Sequence, residues 1–171
     1  MRGIDIEMAS TLLLAGDMAE VGVFQGLSAQ CIHRTAPHKT LHLYDTFKGI
    51  VKADKSIDVH SDGDFANTSV EQARDCVGGG DLVKFHVGVF PDTFAEWDVK
   101  FCFVYSDTDT YFGTKATLDV FASRMVPEGK VMFDDYGWKA CPGVQKAISE
   151  FLADKSHLRT SRNDTQFIIK F

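Results

Sequence analysis

The sequence predicts an α/β fold on a mostly parallel, doubly wound sheet, and three observations predict it. Apolar runs alternate with helical stretches from end to end, the order that lays helices over both faces of a parallel sheet. Residues 100–105 (Lys-Phe-Cys-Phe-Val-Tyr) are almost continuously apolar, the pattern of a strand covered on both sides. The chain closes on two short runs around Asn163-Asp164-Thr165. These form a terminal antiparallel hairpin, where a dinucleotide-binding sheet would normally end on another parallel strand.

Each element follows from local pattern. Residues 1–16 offer at most a short helix around 8–14. Residues 18–23 (Met-Ala-Glu-Val-Gly-Val) are the first strand, entering the turn Phe24-Gln25-Gly26. Residues 28–34 suit a helix closed by Pro37, and 40–44 a second strand ending at Asp45. The stretch 48–64 is polar, with Asp54, Asp58, Asp62 and Asp64, and lacks core periodicity. Such long loops in compact domains are usually functional or mobile. A helix over 67–77 stops at the triple glycine 78–80, a strong breaker. Residues 82–87 are the third strand, followed by Gly88 and a short helical piece at 92–97. The fourth strand is 100–105. Residues 111–125 form the clearest amphipathic helix, with Ala116, Leu118, Phe121, Ala122 and Met125 available to one face. The fifth strand, 130–133, ends in Asp134-Asp135; a last helix spans 143–153, and 157–162 with 166–171 make the hairpin.

Composition narrows the function. The 171 residues fit a single domain, 1–171, and 44% hydrophobic with 25% charged residues excludes disorder, collagen-like repeats and a disulfide scaffold. A net charge of −6 argues against bulk nucleic-acid binding, which needs a basic footprint. Cys31, Cys76, Cys102 and Cys141 form no C-x-x-C pair, and the six histidines do not pair with them at ligand spacings, so no zinc site follows. His42 and His86 fall inside strands, where core or interface roles fit better than catalysis. Acids stand where a signal peptide wants cations, and no apolar run approaches about 18 residues. The expectation is a cytoplasmic protein with no membrane partner.

In open α/β sheets ligands bind beyond the carboxyl ends of the strands. After strand one stands Glu20-Val-Gly22-Val-Phe-Gln-Gly26-Leu-Ser28. Its G-x-x-x-G spacing permits a tight turn but is not the G-x-G-x-x-G of nicotinamide cofactors. Asp45 follows strand two, about 20 residues past that turn, where an acid can accept from ribose hydroxyls. Asp107 and Asp109 follow strand four; Asp134 and Asp135 follow strand five. Unit charges about 4 Å apart repel by roughly 4 kcal/mol at an effective dielectric of 20. With few bases nearby (Lys115, Lys139), a hard divalent cation is the economical remedy. Because neighbours on a strand face opposite ways, Asp134 and Asp135 can share an ion only if the strand has already ended.

Five segments in order, 19–29, 43–49, 87–93, 107–111 and 127–136, resemble TylF-type macrocin O-methyltransferases, class I enzymes that use S-adenosylmethionine (SAM). The resemblance implies a Rossmann-like sheet of seven strands with the last antiparallel, and Mg²⁺-dependent methylation of a hydroxyl on a sugar or vicinal diol. Carried over, Glu20, Gly22 and Gly26 line the methionine end of SAM, with Ser28 beside them. Asp45 holds the ribose, and Asp64-Phe65 and Gly88-Val89 lie near the adenine. Asp107, Asp134 and Asp135 ligate the metal; Asp107 also belongs to the cofactor set, and with Asp109 forms the catalytic pair. The resembled family carries a longer region before strand one, so this chain is expected to be a short member: either a partner subunit closes the site, or a large substrate tolerates open access, or catalysis has been lost; a homo-oligomer is the expected assembly. The alternative is an accessory domain that binds SAM or metal without catalysis.

Overall fold

The structure, a computed structural model, describes residues 2–171. The elements are α1 (Arg2–Ala9), β1 (Asp17–Val21), α2 (Leu27–Thr35), β2 (Leu41–Asp45), α3 (Val70–Val77), β3 (Val83–Val87), β4 (Phe101–Ser106), α4 (Tyr111–Phe121), β5 (Met125–Phe133), α5 (Pro142–Leu152), β6 (Arg159–Asn163) and β7 (Gln166–Lys170). All strands join one seven-stranded sheet in the order β3-β2-β1-β4-β5-β7-β6. β7 runs antiparallel to both neighbours and the remaining pairs are parallel. The α/β class and the closing hairpin are as the sequence predicts.

Each face of the sheet buries its own core. Leu41, Leu43, Phe103, Tyr105 and Met132 pack beneath α1–α3 with Ile4, Met8 and Ile32. Val21, Tyr44, Phe101, Val104 and Phe133 pack beneath α4 and α5 with Phe121, Val144 and Ile148. A register shift between Phe101 and Phe103 sends Cys102 and Phe103 to the same face, as a β-bulge does. Cores on both faces, rather than one, are why 100–105 carries no polar alternation. Among the described residues no helix is long and apolar enough to cross a membrane.

Three elements differ from the sequence pattern. The first helix covers Arg2–Ala9 rather than 8–14, because Ile4 and Met8 lie one turn apart and are buried, and the Thr11 N–H donates to Met8 O and turns the chain. Residues 92–97 form turns instead of a helix. Phe94 N donates to Pro91 O and Trp97 N to Ala95 O, while the Phe90 and Phe94 rings enter the aromatic cluster around Phe121. The helix expected to reach 125 ends at Phe121. Arg124 caps it by donating from Nη1 to Val120 O, and Met125 instead opens β5 opposite Phe101.

Candidate active site

Strand order reverses between β1 and β4, the switch point at which open sheets bind ligands. A cavity of about 520 Å³ lies there, lined by Gly22, Ser28, Asp45, Phe65, Gly88, Asp107, Asp109, Asp134 and Asp135 among others. Gly22 (φ 86°) brings the β1 loop against the β4 loop: a Cβ there would lie 1.9 Å from the Asp107 carbonyl oxygen. Asp45 ties β2 to the same loop. Its Oδ2 accepts from Val23 N at 2.7 Å and Phe24 N at 2.8 Å, and its Oδ1 from Phe47 N at 2.7 Å.

Glu20, expected at the methionine end of SAM, is fully buried on β1 and does not itself line the cavity. Ser28 Oγ donates to its Oε1 at 2.5 Å, while its Oε2 is buried without a partner among the described residues. Burial pushes this carboxyl up to about 8, with the Ser28 bond opposing the shift. Gly26 (φ 89°) caps α2, and a Cβ there would press on Val77 and Ala73 of α3.

The acids divide in a way that spacing does not reveal. One oxygen each from Asp107, Asp109 and Asp135 lie within 4.8 Å of one another. Asp134 instead accepts from the Tyr105 hydroxyl at 2.5 Å, and its other oxygen from Asp135 N at 3.0 Å. β5 ends at Phe133, so the adjacent pair is indeed off the strand. Asp109 and Asp135 both have positive φ, 59° and 56°. That uncommon conformation for a non-glycine residue turns each carboxylate toward Asp107. Burial, reinforced by the neighbouring carboxylates, raises Asp107 and Asp135 above the usual carboxylate range. Among the described residues no ion pair joins a Lys or Arg to Glu20, Asp45 or any of the four acids; Lys115 is held by Asp119.

The sequence model of macrocin-O-methyltransferases (TylF) matches residues 6–161. The chain belongs to the TylF family. Among solved structures, the chain resembles the O-methyltransferase NovP, with 22% identity, a TM-score of 0.81, and 99% of this chain and 78% of the other covered. It also resembles CalS11, a TDP-rhamnose 3′-O-methyltransferase of calicheamicin biosynthesis, at 17% identity and TM-score 0.71, covering 99% and 77%. An O-methyltransferase from Bacillus cereus in complex with SAH matches at 15% identity and TM-score 0.66, covering 99% and 79%. At such identities the likeness is one of fold, that of class I SAM methyltransferases. No curated protein matches in sequence.

Of the family residues expected near adenine, Phe65 and Gly88 line the cavity; Asp64 and Val89 do not. Asp64 closes its own turn by accepting from Ser61 N at 2.9 Å. Two residues of the chain escaped sequence reasoning. His60 brings a ring nitrogen within 4.8 Å of Asp109 and Cys141, and Cys141 donates to Asp109 Oδ1 at 3.4 Å. Burial, then the Asp109 and Asp135 charges, push the Cys141 thiol up, keeping it a donor. Neither stands beside Asp109 in sequence, and His60 sits in a loop without periodicity.

Proposed function

We propose that this chain transfers the methyl group of SAM to a hydroxyl of a small polar acceptor, a sugar or vicinal diol, with Mg²⁺ held by its acidic cluster. One observation carries the proposal: Asp45 and three mutually close carboxylates gather at one cavity, with buried Glu20 bonded to Ser28 of its wall, and among the described residues no Lys or Arg is paired to them. The residues fit both groups. The unpartnered Glu20 Oε2 suits an ammonium, and Asp45 keeps one lone-pair site on Oδ1 free for a ribose hydroxyl beyond its three backbone donors. Three converging carboxylate oxygens suit a hard cation.

When bound, SAM supplies an electrophilic methyl on sulfur and Mg²⁺ lowers the pKa of an acceptor hydroxyl. The protein's own residues would then position the reaction. Glu20 and Asp45 hold the two ends of the cofactor so that the methyl meets the acceptor in line, and such alignment supplies much of the rate. Asp107, Asp109 and Asp135 hold the metal; Tyr105, by donating to Asp134, keeps that carboxylate oriented beside them. His60, whose ring lies beside Asp109 and against Asp64, would orient the Asp109 carboxylate from behind the cavity wall. The sugar acceptor is favoured by the CalS11 likeness.

The test is calorimetric titration with SAM, with Mg²⁺ and with EDTA, joined to methyl-transfer assays on sugar and catechol acceptors. Asp135→Asn should abolish Mg²⁺-stimulated turnover while leaving SAM affinity within about tenfold, roughly 1.4 kcal/mol. His60→Gln should lower Mg²⁺-stimulated kcat with SAM affinity unchanged. Mg²⁺-dependent turnover surviving in Asp135→Asn would refute the metal assignment; an absence of SAM binding would refute the whole proposal.

A further inference from the structure

Away from the acidic cluster, two histidines and a glutamate from separate segments meet on the α4 side of the sheet edge. His42 Nδ1 of β2 lies 3.2 Å from His86 Nε2 of the edge strand β3. Glu96 Oε1, from the β3–β4 connection, lies 3.5 Å from His86 Nε2 and 3.8 Å from His42 Nδ1. Ligand atoms about 2.0–2.1 Å from a tetrahedral ion stand about 3.3–3.5 Å apart, so the three separations bracket the edges of a zinc tetrahedron.

The surroundings are those of a built metal site. Asp17 Oδ2 accepts from His42 Nε2 at 3.0 Å, which fixes the tautomer and leaves the Nδ1 lone pair facing the other two ligands; carboxylate–histidine pairs do this around zinc. Glu96 Oε2 accepts from the Tyr44 hydroxyl at 2.6 Å and from Ala95 N at 3.0 Å, orienting the carboxylate. Glu96 Oε1 accepts no hydrogen bond among the described residues and points between the two rings at distances too long for one. This one carboxylate oxygen therefore faces both ring nitrogens at once. His86 and Glu96 keep 18% and 14% of their side chains exposed, an entry path for an ion.

We infer that His42, His86 and Glu96 bind one Zn²⁺, with Asp17 and Tyr44 as supporting partners and water completing the shell. The two nitrogen ligands and single carboxylate select zinc or cobalt over magnesium. The ion would clamp β2, β3 and the helix-free β3–β4 connection together, stabilising the sheet edge.

The experiment uses EDTA-stripped protein carrying Asp109→Asn and Asp135→Asn, which removes the acidic cluster and the neighbouring His60–Asp109–Cys141 group. It is titrated with ZnCl₂ by calorimetry and with CoCl₂ by visible absorption. We expect one equivalent bound, a tetrahedral cobalt spectrum and a raised Tm, with affinity at least a hundredfold weaker once His86→Ala or Glu96→Gln is added. If His86→Ala does not fold, Glu96→Gln, which keeps the side-chain shape, decides. No stoichiometric binding in the double variant, or undiminished binding after Glu96→Gln, overturns the site. Neither result depends on SAM or turnover, so this inference and the methyltransferase proposal can fail separately.

Discussion

Glu20 shows how one buried side chain can link cofactor binding to protons. It sits wholly buried on β1, with one oxygen on Ser28 and the other unpartnered, and burial raises its pKa to about 8 from 4.5. A carboxyl raised on folding contributes stability that is complete below about pH 4.5 and lost as pH climbs through 8. The Glu20→Gln protein should therefore lack this loss, and urea melts between pH 5 and 9 would expose the difference. An ammonium placed on Oε2 favours the ionised form. SAM binding below pH 8 should thus release a proton and strengthen as pH rises toward that value. Calorimetry in buffers of different ionisation enthalpy checks this, and equal heats in all of them would remove Glu20 from the ammonium site. Glu20, Gly22 and Asp45 were legible in the sequence because they occupy the residues just around strand ends. The partition of the acids was not, since it depends on positive φ at Asp109 and Asp135, which no periodicity encodes.

Among the elements, the 48–64 segment departs most from its sequence appearance. It is polar and forms no helix or strand, yet Asp58 within it is buried. Asp58 Oδ1 accepts from Tyr111 N at 2.9 Å at the start of α4, where the helix dipole favours an anion. Its Oδ2 accepts from Asp54 N at 2.9 Å, closing the loop on itself. Gly143 of α5 leaves the room for this: a Cβ there would stand 2.1 Å from Asp58 Oδ1 and 2.4 Å from Tyr111 N. Gly143→Ala should cost about 1–3 kcal/mol through overpacking and expose 48–64 to limited proteolysis. Unchanged urea melts and an unchanged cleavage rate would show that Asp58 does not anchor the loop. The anchor places His60 beside Asp109, so the same variant links loop position to the active site.

Over the whole molecule, the sheet order carries the cofactor site, and binding there should stabilise everything attached to it. β1 is flanked by β2 and β4, so a ligand touching Asp45, Gly22 and Asp107 bridges three strands. SAM at a hundred times its Kd should add about 2.7 kcal/mol to unfolding, whereas NAD should add nothing because the G-x-x-x-G turn lacks the dinucleotide spacing. A thermal-shift comparison of the two ligands checks this, and a shift with NAD alone would point to oxidoreductase chemistry. The seven-stranded order and its antiparallel β7 follow the family resemblance drawn from five short motifs, as the TylF match over 6–161 bears out. Element boundaries moved by one to six residues where capping and strand pairing, rather than periodicity, decide where an element starts or stops, as Arg124 and Met125 show after Phe121.

The sequence by itself determined the alternation of strands and helices, the acids and glycines at their carboxyl ends, and the family, because these are written in contiguous residues and two local periods. The tertiary structure alone decided which acids meet, that Asp58 anchors its loop on α4 and brings His60 beside Asp109, and that His42, His86 and Glu96 share one point in space. Those encounters join residues tens of positions apart. They depend on strand order, register and a few left-handed backbone turns, and a linear pattern of apolar and polar residues does not encode them.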